Sequence, residues 1–229
     1  EGSIFENPVV AKTQYELKDV KLLPPCKPSK VVAVGLNYVE HVREFSNRDI
    51  PENPVLFIKL PHTIIGPEDY IILPRESQRV DYEAELAVVI GKYCRNIEPE
   101  QAGEYIFGAT CLNDVTARDI QRADGQWTRG KNYETFCPMG PYIVTGLDYS
   151  KLDIKLELNG EIKQQADTSM QIFNVGKLVS FISKVIPLEP GDVVTTGTPE
   201  GVSPMKAGDV VAVEIEGIGR LVNYVKNTD

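Results

Sequence analysis

Apolar residues in this chain fall mostly into short runs, separated by proline, glycine and polar stretches. "KVVAVGLNY" (30–38) predicts a short buried strand ending at Gly35, and "YVEHVREF" (38–45) carries Val39, Val42 and Phe45 at helical spacing. The polar, twice-prolyl "SNRDIPENP" (46–54) reads as a loop. "VLFIKL" (55–60) reads as a strand, and 61–74 as a broken segment with a short strand at its end. A strand over 80–91 follows, then a short helix from near Pro99, a strand around 105–113, a helical turn and loop over 117–127, and loop over 128–141. "DIKLELNGEIKQQ" (153–165) has the alternation of a hairpin around Asn159-Gly160. Val175, Leu178, Val179, Ile182 and Val185 form one helical stripe within 174–186, stopped by Pro187. Strands with glycine turns are expected over 191–199 and 208–225. Many short strands, one good helix and no regular βαβ alternation point to an α+β, β-rich domain.

The strand at 80–92, "VDYEAELAVVIGK", does not fit a simple apolar reading. With period two, Glu83, Glu85, Ala87 and Val89 share one face, and Tyr82, Ala84, Leu86, Val88 and Ile90 share the other. Two neighbouring carboxylates on so apolar a segment repel each other unless they lie in water or a cation sits between them. Asp114, at the end of the next strand in "LNDVTARD" (112–119), could complete a three-carboxylate cluster if the two strands are neighbours. Asp at a strand end is also a common turn or helix cap, here before residues 115–121.

Composition narrows the chemistry. A net charge of −9 argues against a nucleic-acid partner, and no run approaches the length of a membrane span. Cys26, Cys94, Cys111 and Cys137 are widely spaced with no CxxC. They read as reduced thiols of a cytoplasmic protein rather than a disulfide scaffold or zinc site. With only His41 and His62 present, a metal here would take oxygen ligands, which suits Mg²⁺ or Mn²⁺, with Ca²⁺ as a further hard cation. His41 and Glu44 are i, i+3, so a helix would let the carboxylate orient the imidazole as a base. Lys131, in "WTRGKNYETFCPMGP", could neutralise an enolate or carboxylate. "TTGTPEGV" (195–202) offers backbone NH groups and the Thr198 hydroxyl to a carboxylate, but it lacks the lysine of a nucleotide-binding loop.

The blocks "VGLNYVEHVREF", "PVLFIK", "DYEAELAVVIGK", "NDVTARDIQ", "GKNYETFCPMGP" and "TGTPEGV…GDVVAVEIEGIGRLVN" occur in the order seen in the fumarylacetoacetate hydrolase superfamily, which the chain resembles over roughly residues 30–225. The resemblance implies a mixed β-sandwich roll of the family's C-terminal domain type, usually a homodimer, with a Mg²⁺ or Mn²⁺ site. It implies Glu83, Glu85 and Asp114 as metal ligands, His41 and Glu44 as the dyad that activates water or moves a proton, and Lys131 near a bound 2-oxo acid. Gln121 and Thr198 match substrate-contacting positions. Residues 1–24 are expected to be the remnant of an N-terminal extension, since the chain begins at Glu1 rather than Met, and 25–229 the catalytic domain.

The activity so implied is metal-dependent chemistry on a 2-oxo acid or its 2-hydroxy-dienoate tautomer through a metal-bound enolate. C–C hydrolysis of an acylpyruvate-type substrate is the first reading, favoured by the dyad together with the "GK" loop. Isomerisation or decarboxylation of homoprotocatechuate-type diacids, or decarboxylation of oxaloacetate, is the alternative. A reading of another class is a non-catalytic module holding a structural cation. The loop 46–54 is expected to act as a lid over the dyad.

Overall fold

The computed structural model describes residues 3–6, 8–44 and 49–228. Among the described residues the strands are β1 (Val31–Gly35), β2 (Val55–Lys59), β3 (Ile64–Ile65), β4 (Tyr70–Leu73), β5 (Val80–Asp81), β6 (Ala84–Ile90) and β7 (Ile106–Asn113). They continue with β8 (Thr116–Ala117), β9 (Cys137–Val144), β10 (Asp153–Leu158), β11 (Glu161–Asp167), β12 (Val193–Thr195), β13 (Val210–Ile215) and β14 (Gly219–Asn227). The helices are α1 (Val39–Glu44), α2 (Arg118–Asp124), α3 (Thr128–Lys131) and α4 (Val175–Ser183).

A seven-stranded sheet runs β2-β1-β12-β6-β7-β9-β3, a five-stranded sheet runs β11-β10-β13-β14-β4, and β5 pairs with β8. Most pairings are antiparallel, but β1–β12, β3–β9 and β4–β14 are parallel. The sheets are thus mixed, and the many strands with few helices make the α+β, β-rich domain that was expected.

The main core lies between the two large sheets. Leu86, Val88 and Ile90 of β6 meet Ile154, Leu156, Val211, Val213 and Leu221 there, with Leu178, Val179 and Ile182 of α4 in the same cluster. A smaller cluster on the other face of the first sheet holds Ala87, Val89, Leu112 and Met139. The alternation read from residues 80–92 is therefore real, but both faces are covered. Glu85 is buried on the face that carries the smaller cluster.

Some elements differ from the sequence reading. The segment 128–141, expected to be loop, contains α3 and the start of β9. Its two prolines, Pro138 and Pro141, lie within β9 itself, which masks the strand pattern. The expected strand over 191–199 contracts to Val193–Thr195, and that over 80–91 breaks between Asp81 and Ala84. α4 ends at Ser183, so Val185 leaves the apolar stripe and is exposed. Its start is fixed by Asn174, whose side chain accepts the Lys177 N–H at 3.0 Å. The hairpin forms as read: Asn159 (φ 55°) and Gly160 (φ 82°) both take the positive φ that a two-residue turn of this hand demands. No described helix is long and apolar enough to cross a membrane. All four cysteines are free and buried. The loop read as a lid, 46–54, falls in its first three residues, 46–48, outside the described residues.

Candidate active site

The site forms where β6 and β7 run out. Ala84 lies opposite Asn113, and one step further the ladder continues as Asp114 N–H donating to the Glu83 carbonyl at 2.8 Å. Asp81 and Thr116 pair next, in β5 and β8. Cross-strand pairing thus sets Asp114 against Glu83, and the two-residue period sets Glu85 beside Glu83. One carboxylate oxygen from each of Glu83, Glu85 and Asp114 lies within 4.8 Å of the others, and all three residues are buried. Asp114 is not a cap: the residue before α2 is Ala117, which makes no side-chain capping bond.

Three buried cations surround the carboxylates. Lys131 Nζ bridges Glu83 Oε2 at 2.8 Å and Asp114 Oδ2 at 2.5 Å. Lys59 Nζ donates to Asp114 Oδ1 at 2.6 Å, to the Lys131 carbonyl at 2.8 Å and to the Val115 carbonyl at 3.2 Å. Arg118 pairs with Glu83 through Nη2 and with Asp81 through Nε at 2.9 Å, and its Nη1 donates to Gln121 Oε1 at 2.8 Å. Lys131 owes its position to α3, which starts beneath Trp127. Phe57 packs edge-on against that indole at 5.2 Å and offers its face to Lys131 Nζ at 4.8 Å.

These pairings separate the two glutamates electrostatically. Burial alone would raise the Glu83 carboxyl, but Lys131, Arg118 and His41 outweigh it and hold the group well below the usual carboxylate range. Burial, reinforced by Asp114 and Glu83, pushes Glu85 well above that range. Burial would lower Lys131, but Asp114 and Glu83 prevail and raise it. Glu85 forms no ion pair among the described residues, and its Oε2 accepts the Gly197 N–H at 2.9 Å. Three clustered carboxylates, one without a cationic partner and none accompanied by a His or Cys ligand, fit a hard divalent cation.

The dyad stands beside this cluster. His41 Nδ1 lies 3.0 Å from Glu44 Oε2, and His41 is buried while Glu44 is partly open. The other Glu44 oxygen accepts the Gly201 N–H at 2.6 Å. The 196–201 segment is pinned along its length: Thr196 N–H donates to the Leu86 carbonyl at 3.1 Å, and the Thr198 hydroxyl accepts from Gln164 Nε2 at 2.9 Å. Gln121 is buried against α3, where a Cβ on Gly130 would come within 2.9 Å of its own Cβ.

Every residue singled out from the sequence therefore lies in or beside one region. Lys131, expected in a loop, ends the short helix α3 and forms a buried bridge between two carboxylates. Sequence reasoning assigned no role to Lys59, Arg118 or Gln164. Lys59 had a signal, a lysine closing the apolar run "VLFIK". Arg118 stood in a quoted motif. Gln164 sits in the polar strand "EIKQQAD" and had none beyond its inward register opposite Leu156.

Comparison with known proteins gives a consistent picture. The sequence pattern of the Fumarylacetoacetate (FAA) hydrolase C-terminal family matches residues 30–226. An uncharacterized protein of Methanocaldococcus jannaschii is 56% identical over 203 residues, covering 89% of this chain and 85% of that protein. The rat protein named Oxaloacetate tautomerase Fahd2a, mitochondrial, is 42% identical over 229 residues, covering 95% of this chain and 72% of its own length. The crystal structure of 5-carboxymethyl-2-hydroxymuconate delta-isomerase from Mycobacterium smegmatis superposes with a TM-score of 0.92 at 47% identity, over 98% of this chain and 87% of that one.

Proposed function

This chain belongs to the fumarylacetoacetate hydrolase C-terminal family, and on that premise we propose that it is a divalent-metal-dependent enzyme acting on a 2-oxo acid or its enol tautomer. The observation that carries the reading is the meeting of three buried carboxylates with a histidine–carboxylate dyad and a buried lysine.

Glu83, Glu85 and Asp114 would hold the cation, Mg²⁺ or Mn²⁺. When bound, it supplies Lewis-acid polarisation of the 2-oxo group. Lys131 adds fixed positive charge beside the substrate oxygens. Thr198 and Gln121 hold the substrate's polar groups. His41 takes a proton from the carbon next to the oxo group, or returns one, while Glu44 holds the imidazole in the tautomer that leaves Nε2 as the base. The catalytic domain in this reading spans residues 25–229.

Tautomerase and delta-isomerase, the activities in the names of two relatives, are both proton-shift reactions, and they favour that class for this chain. The second reading is hydrolysis of an acylpyruvate-type substrate. It uses the same dyad to deprotonate water, and the name of a 41% identical solved structure, Fumarylacetoacetate hydrolase from Exiguobacterium antarcticum, favours it. The test is a panel of oxaloacetate, a carboxymethyl-hydroxymuconate-type diacid and an acylpyruvate, each with and without Mn²⁺. Metal-dependent loss of enol absorbance in the first two supports proton transfer, and pyruvate release from the third supports hydrolysis. Either activity should vanish in His41→Ala and Glu83→Ala. Protein that binds Mn²⁺ yet turns over none of the three would overturn the proposal.

A further inference from the structure

Gln164 lies on β11, in the sheet opposite the carboxylates, between the exposed Lys163 and Gln165, yet it is 1% exposed. Its side chain reaches the first sheet where β6 and the segment after β12 diverge. Up to that point the backbone pairs directly, Thr195 with Ala87 and then Thr196 N–H to the Leu86 carbonyl. Gly197 N–H goes to the Glu85 carboxylate, and beyond it the gap is bridged by the Gln164 amide.

The orientation of that amide follows from its neighbours. Oε1 lies 2.9 Å from the Ala84 N–H, which can only donate, and Nε2 lies 2.8 Å from the Pro199 carbonyl, which can only accept. The second hydrogen of Nε2 goes to Thr198 Oγ1, 2.9 Å away, which lies closer than the Glu200 carbonyl at 3.4 Å. With that lone pair occupied, the hydroxyl's own hydrogen has to point elsewhere. Thr198 forms no other side-chain hydrogen bond with the described residues, and it is only 2% exposed.

We propose that Gln164 is a positioning residue that fixes the Thr198 hydroxyl as a hydrogen-bond donor toward the substrate carboxylate. The inference rests on the reading of Thr198 as a substrate contact. A hydroxyl free to rotate spends part of its time presenting a lone pair, which repels a carboxylate. One whose acceptor lobe is filled by an amide N–H presents its proton throughout. Gln164 also holds the 198–200 segment against Ala84, the residue between two of the carboxylates, so the donor keeps a fixed place relative to them.

The test uses full-length protein loaded with Mn²⁺ and titrated with oxalate, a small dicarboxylate, by calorimetry. It compares wild type, Gln164→Met, Gln164→Glu, Thr198→Val and the Gln164→Met/Thr198→Val double variant. Affinity for Mn²⁺ alone and the thermal midpoint are measured on each. Gln164→Met should weaken oxalate on the order of ten-fold, the loss of one charge-assisted hydrogen bond, with Mn²⁺ affinity unchanged. Gln164→Glu, which keeps an acceptor for Ala84 N–H, should weaken it in the same direction. Thr198→Val should match Gln164→Met, and the double variant should be no worse than Thr198→Val.

If Thr198→Val weakens oxalate and both Gln164 variants bind as wild type, the positioning role fails and the reading of Thr198 stands. If Thr198→Val binds oxalate as wild type, or wild type holds Mn²⁺ but not oxalate, that reading fails and the inference with it. A parallel fall of Mn²⁺ and oxalate affinity in Gln164→Met, or independent losses in the double variant, would show Gln164 to be structural only.

Discussion

Glu44 and Gly201 stand 157 residues apart and meet through a 2.6 Å hydrogen bond from the glycine N–H to the carboxylate. The glutamate that orients His41 is thus itself oriented by the loop that carries Thr198. Gly201 has φ +95°, and a Cβ there would lie 2.2 Å from the Lys163 carbonyl oxygen. Gly201→Ala should therefore displace the loop and release Glu44. The expected outcome is a lower thermal midpoint, on the order of 1–3 kcal/mol of strain, together with a fall in kcat. Calorimetry and steady-state kinetics check it, and unchanged kcat would show that the dyad does not depend on this contact.

The carboxylate cluster predicts a single tight Mn²⁺ site. Titration followed by the water proton relaxation of Mn²⁺ should give one ion per chain in wild type. Glu85→Ala should lower the affinity by at least about 100-fold, since a ligand oxygen is lost. Added Mn²⁺ should raise the wild-type thermal midpoint, the stabilisation reaching about 2.7 kcal/mol at a hundred times Kd. A midpoint indifferent to Mn²⁺ would rule the site out.

Lys59 is fully buried, and its ammonium is spent on Asp114 and two backbone carbonyls. Lys59→Met removes that charge and leaves the carboxylate with Lys131 as its remaining cation. Breaking a buried pair from one side costs about 3–5 kcal/mol. Urea unfolding should show a loss of that order without metal and a smaller one with Mn²⁺, which supplies positive charge to the same carboxylate.

The cysteines should be inert in the folded protein. Burial pushes the Cys26, Cys111 and Cys137 thiols up to about 12 and raises Cys94 as well. A raised thiol pKa means less thiolate, the reactive form. At pH 8 a pKa near 12 leaves about one molecule in ten thousand ionised. Ellman's reagent should label the native protein slowly, and all four thiols should react at once in denaturant. Fast labelling of the native protein would place at least one thiol at the surface.

Much of this was legible in the sequence because its signals were local. The Glu83–Glu85 face follows from a period of two, the His41–Glu44 contact from an i, i+3 spacing, and the hairpin from Asn159-Gly160 in a register that only one turn permits. The ordered blocks of the family supplied the connection between them. What stayed hidden depends on the third dimension. Nothing in "VLFIK" says that its lysine reaches a carboxylate 55 positions away, and nothing in "EIKQQAD" says that one glutamine crosses to the other sheet. β9 was missed because prolines, which usually exclude a strand, lie inside it.

β12 is three residues long, yet in the strand order it alone separates the β1–β2 pair from β6 and everything beyond. During synthesis on the ribosome β2 can be tied to the carboxylates early, through Lys59 and Asp114, while the β12 strand that pairs with both β1 and β6 is translated more than half a chain after β1. The acidic half of the candidate site, three carboxylates with Lys59, Arg118 and Lys131, lies wholly within residues 59–131 and is translated before β12. The pairings of β12 with β1 and β6, and the hydrogen bond that holds Glu44, form only after Val193–Thr195 and Gly201 have left the exit tunnel. The candidate site is therefore completed late in translation, and a chain stalled before residue 193 would carry the acidic cluster without the strand and the Gly201 contact that fix His41 and Glu44 beside it.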